Sequence, residues 1–406
     1  MGMGMRAKEL LPHCDMQHSR QKTGVIFSET YLPLLGGAEM YTYNFAKQLT
    51  LRGYTITILT HTGGEPPEEY QVKGVTVIHV PKISKYQPFA VLSLFLKMTR
   101  LVRQSDLVCA NYTYSLSTLA VLAGIIARKP IIVFAHGLGT IIDATHPKIY
   151  RLYRYVTLRL AHKVVTTSEE IADIVRRYTR EVLVATAVDC SAIDASLDAS
   201  RVAEIQKEFD GRKIIVTTRR LVEKNGIQYL IEALPFLLKK QIDFVYIVIG
   251  DGRLYDELSK RVNELGLQSR VRFLGALQNN LVFNYIKAAD VAVFPSSAEA
   301  LSLAAIEVMH LGTPLVVSDI GGLRELVGVN AERGTTIDLF GRIESVYTAP
   351  DAHSLSTVTY EHFAEQLVVA LSCSEDVAHK SVLAKEFVDA RFDWLRVANA
   401  ILQFIA

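Results

Sequence analysis

Cysteine is scarce in this 406-residue chain: Cys14, Cys109, Cys190 and Cys373 lie far apart, with no C-x-x-C pair among them. That spacing argues against a disulfide framework and against a structural zinc site, and it fits a reducing compartment. No apolar run is long enough to span a bilayer, because the most apolar stretch, Leu116 to Phe134, is broken by Arg128-Lys129-Pro130. Residues 1–22 mix Met1, Met3 and Met5 with polar residues and lack the continuous apolar core of a signal peptide, so they read as a flexible head. The G-x-G-x-x-G dinucleotide fingerprint is missing after the first expected strand. No D-x-D pair stands at a strand end, so no metal is expected; no cofactor is expected either.

Net charge is small, +2, but unevenly spread. Residues 1–190 hold 22 Lys and Arg against 14 Asp and Glu; residues 191–406 hold 22 against 28. A basic half joined to an acidic half suggests that the first half meets something anionic.

Half of the residues are apolar, and the length suits two domains with separate cores. Short apolar runs alternate with helical spacing from residue 24 onward. GVIFS (24–28), TITILT (55–60), VTVIHV (75–80), DLVCA (106–110), IIVFAH (131–136) and KVVTTS (163–168) read as buried strands. The pattern restarts with KIIVTT (213–218), FVYIVIG (244–250), VRFLG (271–275), VAVFP (291–295) and TPLVVS (313–318). This alternation predicts two α/β units with parallel sheets. The expected boundaries are a head at 1–22, a first Rossmann-like domain at 23–190, a linker at 191–211, a second such domain at 212–380, and a terminal helix at 381–406. That helix, beginning near VLAKEFVDARFDWLRVANAILQFI (382–405), offers Phe387, Phe392, Trp394, Leu395, Ala398, Leu402 and Ile405 for burial.

Open parallel sheets bind ligands at the carboxyl ends of their strands. After the first strand, Gly36 and Gly37 precede a helix, whose free N–H groups and dipole favour an anion. His136-Gly137 follows the fifth strand. In TRRLVEKNG (218–226), Arg220 and Lys224 suit a diphosphate, and Gly250-Asp251-Gly252 makes a turn that a ligand could approach closely. In SSAEALSLAAIE (296–307), Glu299 and Glu307 stand eight residues apart around a helix expected to start near Leu301 or Ser302 and stop at Gly312. A fully helical path would separate them by roughly 12 Å, about the reach from a ribose to the sugar beyond a diphosphate.

The ordered set GGAE (36–39), FAHG (134–137), RRLVEKNG (219–226), GDG (250–252), RFLG (272–275), E-x7-E (299–307) and SDIGGLREL (318–326) resembles retaining glycosyltransferases of family 4, GT-B type. The resemblance covers nearly the whole chain from about residue 24. It implies that Gly37 contacts donor phosphates through its backbone, that Arg220 and Lys224 neutralise the diphosphate, that Glu307 binds the ribose, and that Glu299 binds the transferred sugar. It also implies that His136 lines the sugar site, that Gly36, Gly250, Gly252, Leu274, Leu301, Ser302 and Leu303 are donor-binding, and that the last helix packs back on the first domain. Two stretches depart from the family: Glu299-Ala300-Leu301-Ser302 stands where E-G-F-G is frequent, and Ala185-Thr186-Ala187-Val188-Asp189 where P-N-G-V-D is frequent.

The activity implied is retaining transfer of a sugar from a UDP- or GDP-type donor to a glycan or lipid-linked hydroxyl. A nucleotide-sugar epimerase of similar fold and a non-catalytic nucleotide-sugar-binding protein stay open beside it. Residues 147–163, which mix Lys148, Arg151, Arg154, Arg159 and Lys163 with Tyr150, Tyr153 and Tyr155, suit an anionic membrane surface, and KMTRLVR (97–103) adds cations. A solvated helix face would have the same composition. The expected location is cytoplasmic, with peripheral contact at the inner membrane face. Nucleic acid has only charge in its favour and is not expected as a partner.

Overall fold

The computed structural model describes residues 21–34, 36–61, 63–82, 87–136, 148–209, 211–340, 352, 355–372 and 374–406. Most of the expected head, along with Gly137, Cys14 and Cys373, lies outside them.

The first sheet contains β1 (Lys22–Ser28), β2 (Tyr54–Thr60), β3 (Val75–His79), β4 (Leu107–Asn111), β5 (Ile132–Ala135), β6 (Lys163–Thr166) and β7 (Val182–Val184), in the order β3-β2-β1-β4-β5-β6-β7. All pairs are parallel. Helices α1 (Gly37–Thr50), α2 (Pro88–Gln104), α3 (Ser115–Ala127), α4 (Lys148–Leu160) and α5 (Glu169–Val175) connect the strands. Leu94 and Met98 of α2, Ala120 and Val121 of α3 and Leu158 of α4 meet Val25, Val108 and Val133 on one face of the sheet. On the other face, Tyr41 and Phe45 of α1 meet Ile26, Ile58 and Phe134. Alternate residues of one strand thus feed two cores, as strand geometry requires.

Next come α6 (Cys190–Ala195) and α7 (Ala199–Glu208). The second sheet contains β8 (Lys213–Thr218), β9 (Phe244–Ile249), β10 (Val271–Gly275), β11 (Val291–Phe294), β12 (Leu315–Ser318) and β13 (Thr335–Ile337), in the parallel order β10-β9-β8-β11-β12-β13. Helices α8 (Ile227–Lys239), α9 (Tyr255–Glu264), α10 (Asn279–Ala288), α11 (Leu303–Leu311), α12 (Gly321–Val327), α13 (Thr357–Leu371), α14 (Glu375–Arg391) and α15 (Trp394–Ile405) complete the chain.

Three features differ from the sequence reading. The expected linker holds two helices, because Asp189 and Asp198 cap their first turns and Ile193, Ile205 and Phe209 reach the second-domain core. The expected single terminal helix is two: Asp393 caps α15 by accepting from the Leu395 N–H, and the chain at this break pairs with the first crossover, Val188 N–H donating to Phe392 O at 2.8 Å. α14 stays on the second domain beside Phe392, while α15 crosses back, placing Trp394 against Tyr41 and Phe45. Leu395, expected inside, is 61% exposed. The third difference is strands β7 and β13, three residues each, which are too short to give a readable alternation. No described helix is long and apolar enough to cross a membrane.

Candidate functional site

Both sheets turn their carboxyl edges toward each other. At the meeting point, Leu303 Cδ1, at the start of α11, lies 3.6 Å from where a Cβ on Gly37, at the start of α1, would stand. Ala298 and Ala300 pack with Leu116 and Ala120 of the first domain. Two helix N-termini therefore converge here, one from each domain. α11 begins as expected: Ser302 Oγ accepts from the Ala305 N–H, and Gly312, with φ +70°, ends the helix.

The residue after β8 organises the second-domain edge. Arg219 is almost buried and forms an ion pair with Glu299, which is similarly enclosed. It also donates to Ser302 Oγ at 2.9 Å, Ser296 Oγ at 3.1 Å and Asn225 Oδ1 at 3.2 Å. Its Nε–H has no partner among the described residues. Arg219 thus ties together the loop after β8 and the loop after β11. The departure Glu299-Ala300-Leu301-Ser302 has a structural counterpart here: where flexible glycines are frequent in the family, Ser302 and Glu299 are held by one guanidinium. The sequence reading missed Arg219, since adjacent arginines in a loop give no sign of which one turns inward.

Arg220 is exposed, and its carbonyl accepts from Asn225 Nδ2. Lys224 is half-buried; its carbonyl accepts from the Ser297 N–H at 2.9 Å, which sets the two loops side by side. Burial lowers the Lys224 pKa, and Glu299 opposes that shift. Burial pushes the Glu299 carboxyl up, but Arg219 and then Lys224 outweigh it, so Glu299 stays below the usual carboxylate range. Three cations and one carboxylate thus crowd one strand edge beside a helix N-terminus, a setting suited to an anion.

Glu307 sits one turn into α11, half-buried, and its carboxylate forms no hydrogen bond or ion pair among the described residues. Burial raises its pKa from 4.5 to about 7. Glu299 precedes the helix instead of lying on it, so the fully helical spacing drawn from the sequence does not hold. Leu301 is buried, Leu303 is half-buried beside Gly37, and Leu274 near the end of β10 packs on the second-domain core.

The GDG turn serves packing within the chain. A Cβ on Gly250 would lie 2.0 Å from the Arg219 carbonyl oxygen, and one on Gly252 2.4 Å from that of Leu221. At Gly322, in SDIGGLREL, the Ala300 carbonyl oxygen would be 1.9 Å away. These contacts involve backbone, which cannot swing aside. Gly250→Ala and Gly322→Ala should each destabilise the fold by about 2–4 kcal/mol, at the upper end of the range for a point mutant. Denaturant melting checks this, and unchanged midpoints would refute the close packing of the three loops.

On the first-domain edge, the residue following each of four adjacent strands is polar or aromatic: His61 after β2, Glu29 after β1, Tyr112 after β4 and His136 after β5. Glu29 accepts from the Leu116 N–H at 2.7 Å at the α3 N-terminus, and His61 Nε2 lies 3.7 Å from it. Tyr112 donates to Glu39 of GGAE at 3.2 Å. A Cβ on Gly36 would press on the same Glu39 carboxylate. His136 is buried among Tyr41, Tyr112 and Phe134, and burial lowers its pKa to about 3. It is therefore a neutral imidazole in the working range. Of this row only His136 was singled out from sequence; reading every first residue after a strand would have found the rest.

Two Rossmann-like domains with opposed parallel sheets and a returning C-terminal helix define the GT-B class of glycosyltransferases. The family model "Glycosyltransferase Family 4" matches residues 35–191, and "Glycosyl transferases group 1" matches residues 199–345. The chain belongs to the group 1, family 4 glycosyltransferases. It is 26% identical over 312 residues to an uncharacterized glycosyltransferase of Methanocaldococcus jannaschii, covering 72% of this chain and 79% of that protein. It is 24% identical to the alpha-monoglucosyldiacylglycerol synthase of Streptococcus pneumoniae, covering 84% of this chain and 82% of the relative. Anabaena HepE, solved in complex with UDP, superposes with a TM-score of 0.76 at 19% identity, over 94% of this chain and 99% of that one.

Proposed function

We propose that this glycosyltransferase moves a hexose from a UDP- or GDP-linked donor to a hydroxyl on a lipid-linked acceptor or glycan, retaining the anomeric configuration. The observation that carries the reading is the grouping of Arg219, Arg220, Lys224 and Glu299 beside the α11 N-terminus, opposite Gly37. The diphosphate lies along the α1 and α11 N-termini, neutralised by Arg220 and Lys224. Glu307 takes the ribose hydroxyls and Glu299 those of the transferred sugar. Gly36, Gly250, Gly252, Leu274, Leu301, Ser302 and Leu303 shape the donor's bed. As the bond from the anomeric carbon to the phosphate oxygen breaks, charge grows on the diphosphate, where these cations are preorganised. The acceptor oxygen bonds to the same face of that carbon, and its proton passes to a phosphate oxygen. His136, being neutral, can donate a hydrogen bond at the sugar without repelling the cations.

A panel of radiolabelled nucleotide sugars, offered with and without membrane lipid extract in excess chelator, tests this. Label entering lipid or glycan with the α/β configuration of the donor is the expected result. Altered sugar without an acceptor would indicate an epimerase, and binding without turnover a non-catalytic binder. Activity abolished by chelator and restored by manganese would overturn the cation assignment.

A membrane-borne acceptor has separate support. Helices α2, α3 and α4 share one layer, and their outer side exposes Phe89 (86%), Leu92, Leu96, Ile125, Ile126, Ile149, Leu152, Tyr155 and Leu160. Lys97, Arg100, Arg103, Arg151 and Arg159 are exposed among them. Apolar side chains interleaved with cations suit the boundary of an anionic bilayer. The protein should sediment with vesicles containing acidic lipid at low salt and release at high salt. Arg151→Ser with Arg159→Ser should weaken binding at least tenfold while the melting temperature holds. A wild-type protein that ignores such vesicles would favour a soluble acceptor.

A further inference from the structure

Away from the donor site, a second group of reactive side chains converges where α6, α11 and α14 meet. One ligand atom each from Cys190, His310 and Asp389 lies within 4.8 Å of the others. His310, on the last turn of α11, is buried. Its Nδ1 lies 2.6 Å from Asp389 Oδ1, and its Nε2 3.0 Å from Asp194 Oδ1. Cys190 is buried at the first turn of α6, and Asp389 is exposed near the end of α14.

We infer that Cys190, His310 and Asp389 form a binding site for a thiophilic divalent cation of the zinc type. The donor set is one sulfur, one imidazole nitrogen and one carboxylate oxygen, which suits zinc and not an all-oxygen ion such as magnesium or calcium. Asp194 on the far nitrogen supplies what a metal-binding histidine needs, a carboxylate that fixes its tautomer and orientation. With three protein ligands, water would be the fourth. Separating Nδ1 and Oδ1 to the spacing of tetrahedral ligands takes roughly 0.7 Å, within the reach of a surface aspartate. Zinc is held by the thiolate form, so binding at Cys190 releases the thiol proton. The alternative is a histidine bridging two aspartates with an idle thiol beside it. Lys385, 2.9 Å from Asp389 Oδ2, competes for the carboxylate in that case.

The test is cobalt titration of the full-length protein in a background with Cys14→Ser and Cys373→Ser, which leaves the buried Cys109 as the one other thiol. A thiolate-to-cobalt band in the near ultraviolet should saturate at one equivalent and disappear when zinc is added. Cys190→Ser should abolish it, and Asp194→Asn should weaken metal affinity about 10–100-fold. Zinc should raise the melting temperature of the parent and leave that of Cys190→Ser unmoved. Asp389→Asn, an exposed change, serves if Cys190→Ser does not fold. Absence of the band, or its persistence in Cys190→Ser, would overturn the site. Transfer in chelator is expected to continue either way, so the donor-site reading stands or falls separately.

Discussion

Arg219→Ala should reduce sugar transfer about a thousandfold and destabilise the protein by about 3–5 kcal/mol. The two losses have separate causes. Removing one partner of an enclosed ion pair leaves Glu299 with only Lys224 and Arg220 to oppose its burial, the costlier way to break such a pair. The Ser296–Ser302 loop loses its bonds to the guanidinium at the same time, so the carboxylate assigned to the sugar is neither charged reliably nor aimed. Combining Arg219→Ala with Glu299→Gln should recover much of the stability and none of the activity. Arg219→Lys keeps the charge but cannot reach four partners at once, so it should fold and turn over slowly. Thermal melts and initial rates on these variants decide the matter. A fully active Arg219→Ala would show that the pair is only structural.

The two glutamates should fail differently. Glu307→Gln should weaken binding of the free nucleoside diphosphate by ~1–3 kcal/mol, since its proposed partner, the ribose, is shared by donor and product. Glu299→Gln should leave that affinity nearly intact while turnover falls. The pH behaviour adds a sharper signature. Because the folded-state carboxyl of Glu307 is raised from 4.5 to about 7, the folded protein binds a proton the unfolded chain has released between those values. Stability from this group therefore falls as pH rises through that window and is lowest above it, by up to roughly 3 kcal/mol. Ribose hydroxyls need the ionised form, so diphosphate affinity should rise over the same window. Glu307→Gln should melt higher than wild type near pH ~8, match it near pH ~4, and bind diphosphate with no ionisation near neutrality. Calorimetry with the diphosphate and melts across pH measure both. Parallel trends in stability and affinity would refute the assignment.

Much of this architecture could be read from the chain because parallel strands buried on both faces are nearly continuous apolar runs. The α11 boundaries were legible for a local reason, a serine cap and a left-handed glycine. What escaped was set by contacts distant in sequence. Which of Arg219 and Arg220 faces inward depends on a loop some 80 residues away. The break between α14 and α15 depends on Val188. Cys190 and His310 meet although no local spacing connects them, so cysteine spacing, which argued against a zinc site, could not register that junction. The glycines of GDG suggested close approach by a ligand, whereas the backbone that crowds them in the structure belongs to the protein itself.

The chain passes between the domains twice, and the two passages are joined by a hydrogen bond at Val188 and Phe392. One covalent link would act as a ball joint, free to swivel in any direction. Two links fastened side by side act as a door hinge: twisting and sliding strain the bond between them, while rotation about a single line does not. The N-terminus of α1 stands over that of α11 in this structure, and a joint of that kind would restore the same placement after any rotation about its line. The register between the two strand edges is thus set by the polypeptide itself, at the bond between Val188 and Phe392, rather than by anything bound between them.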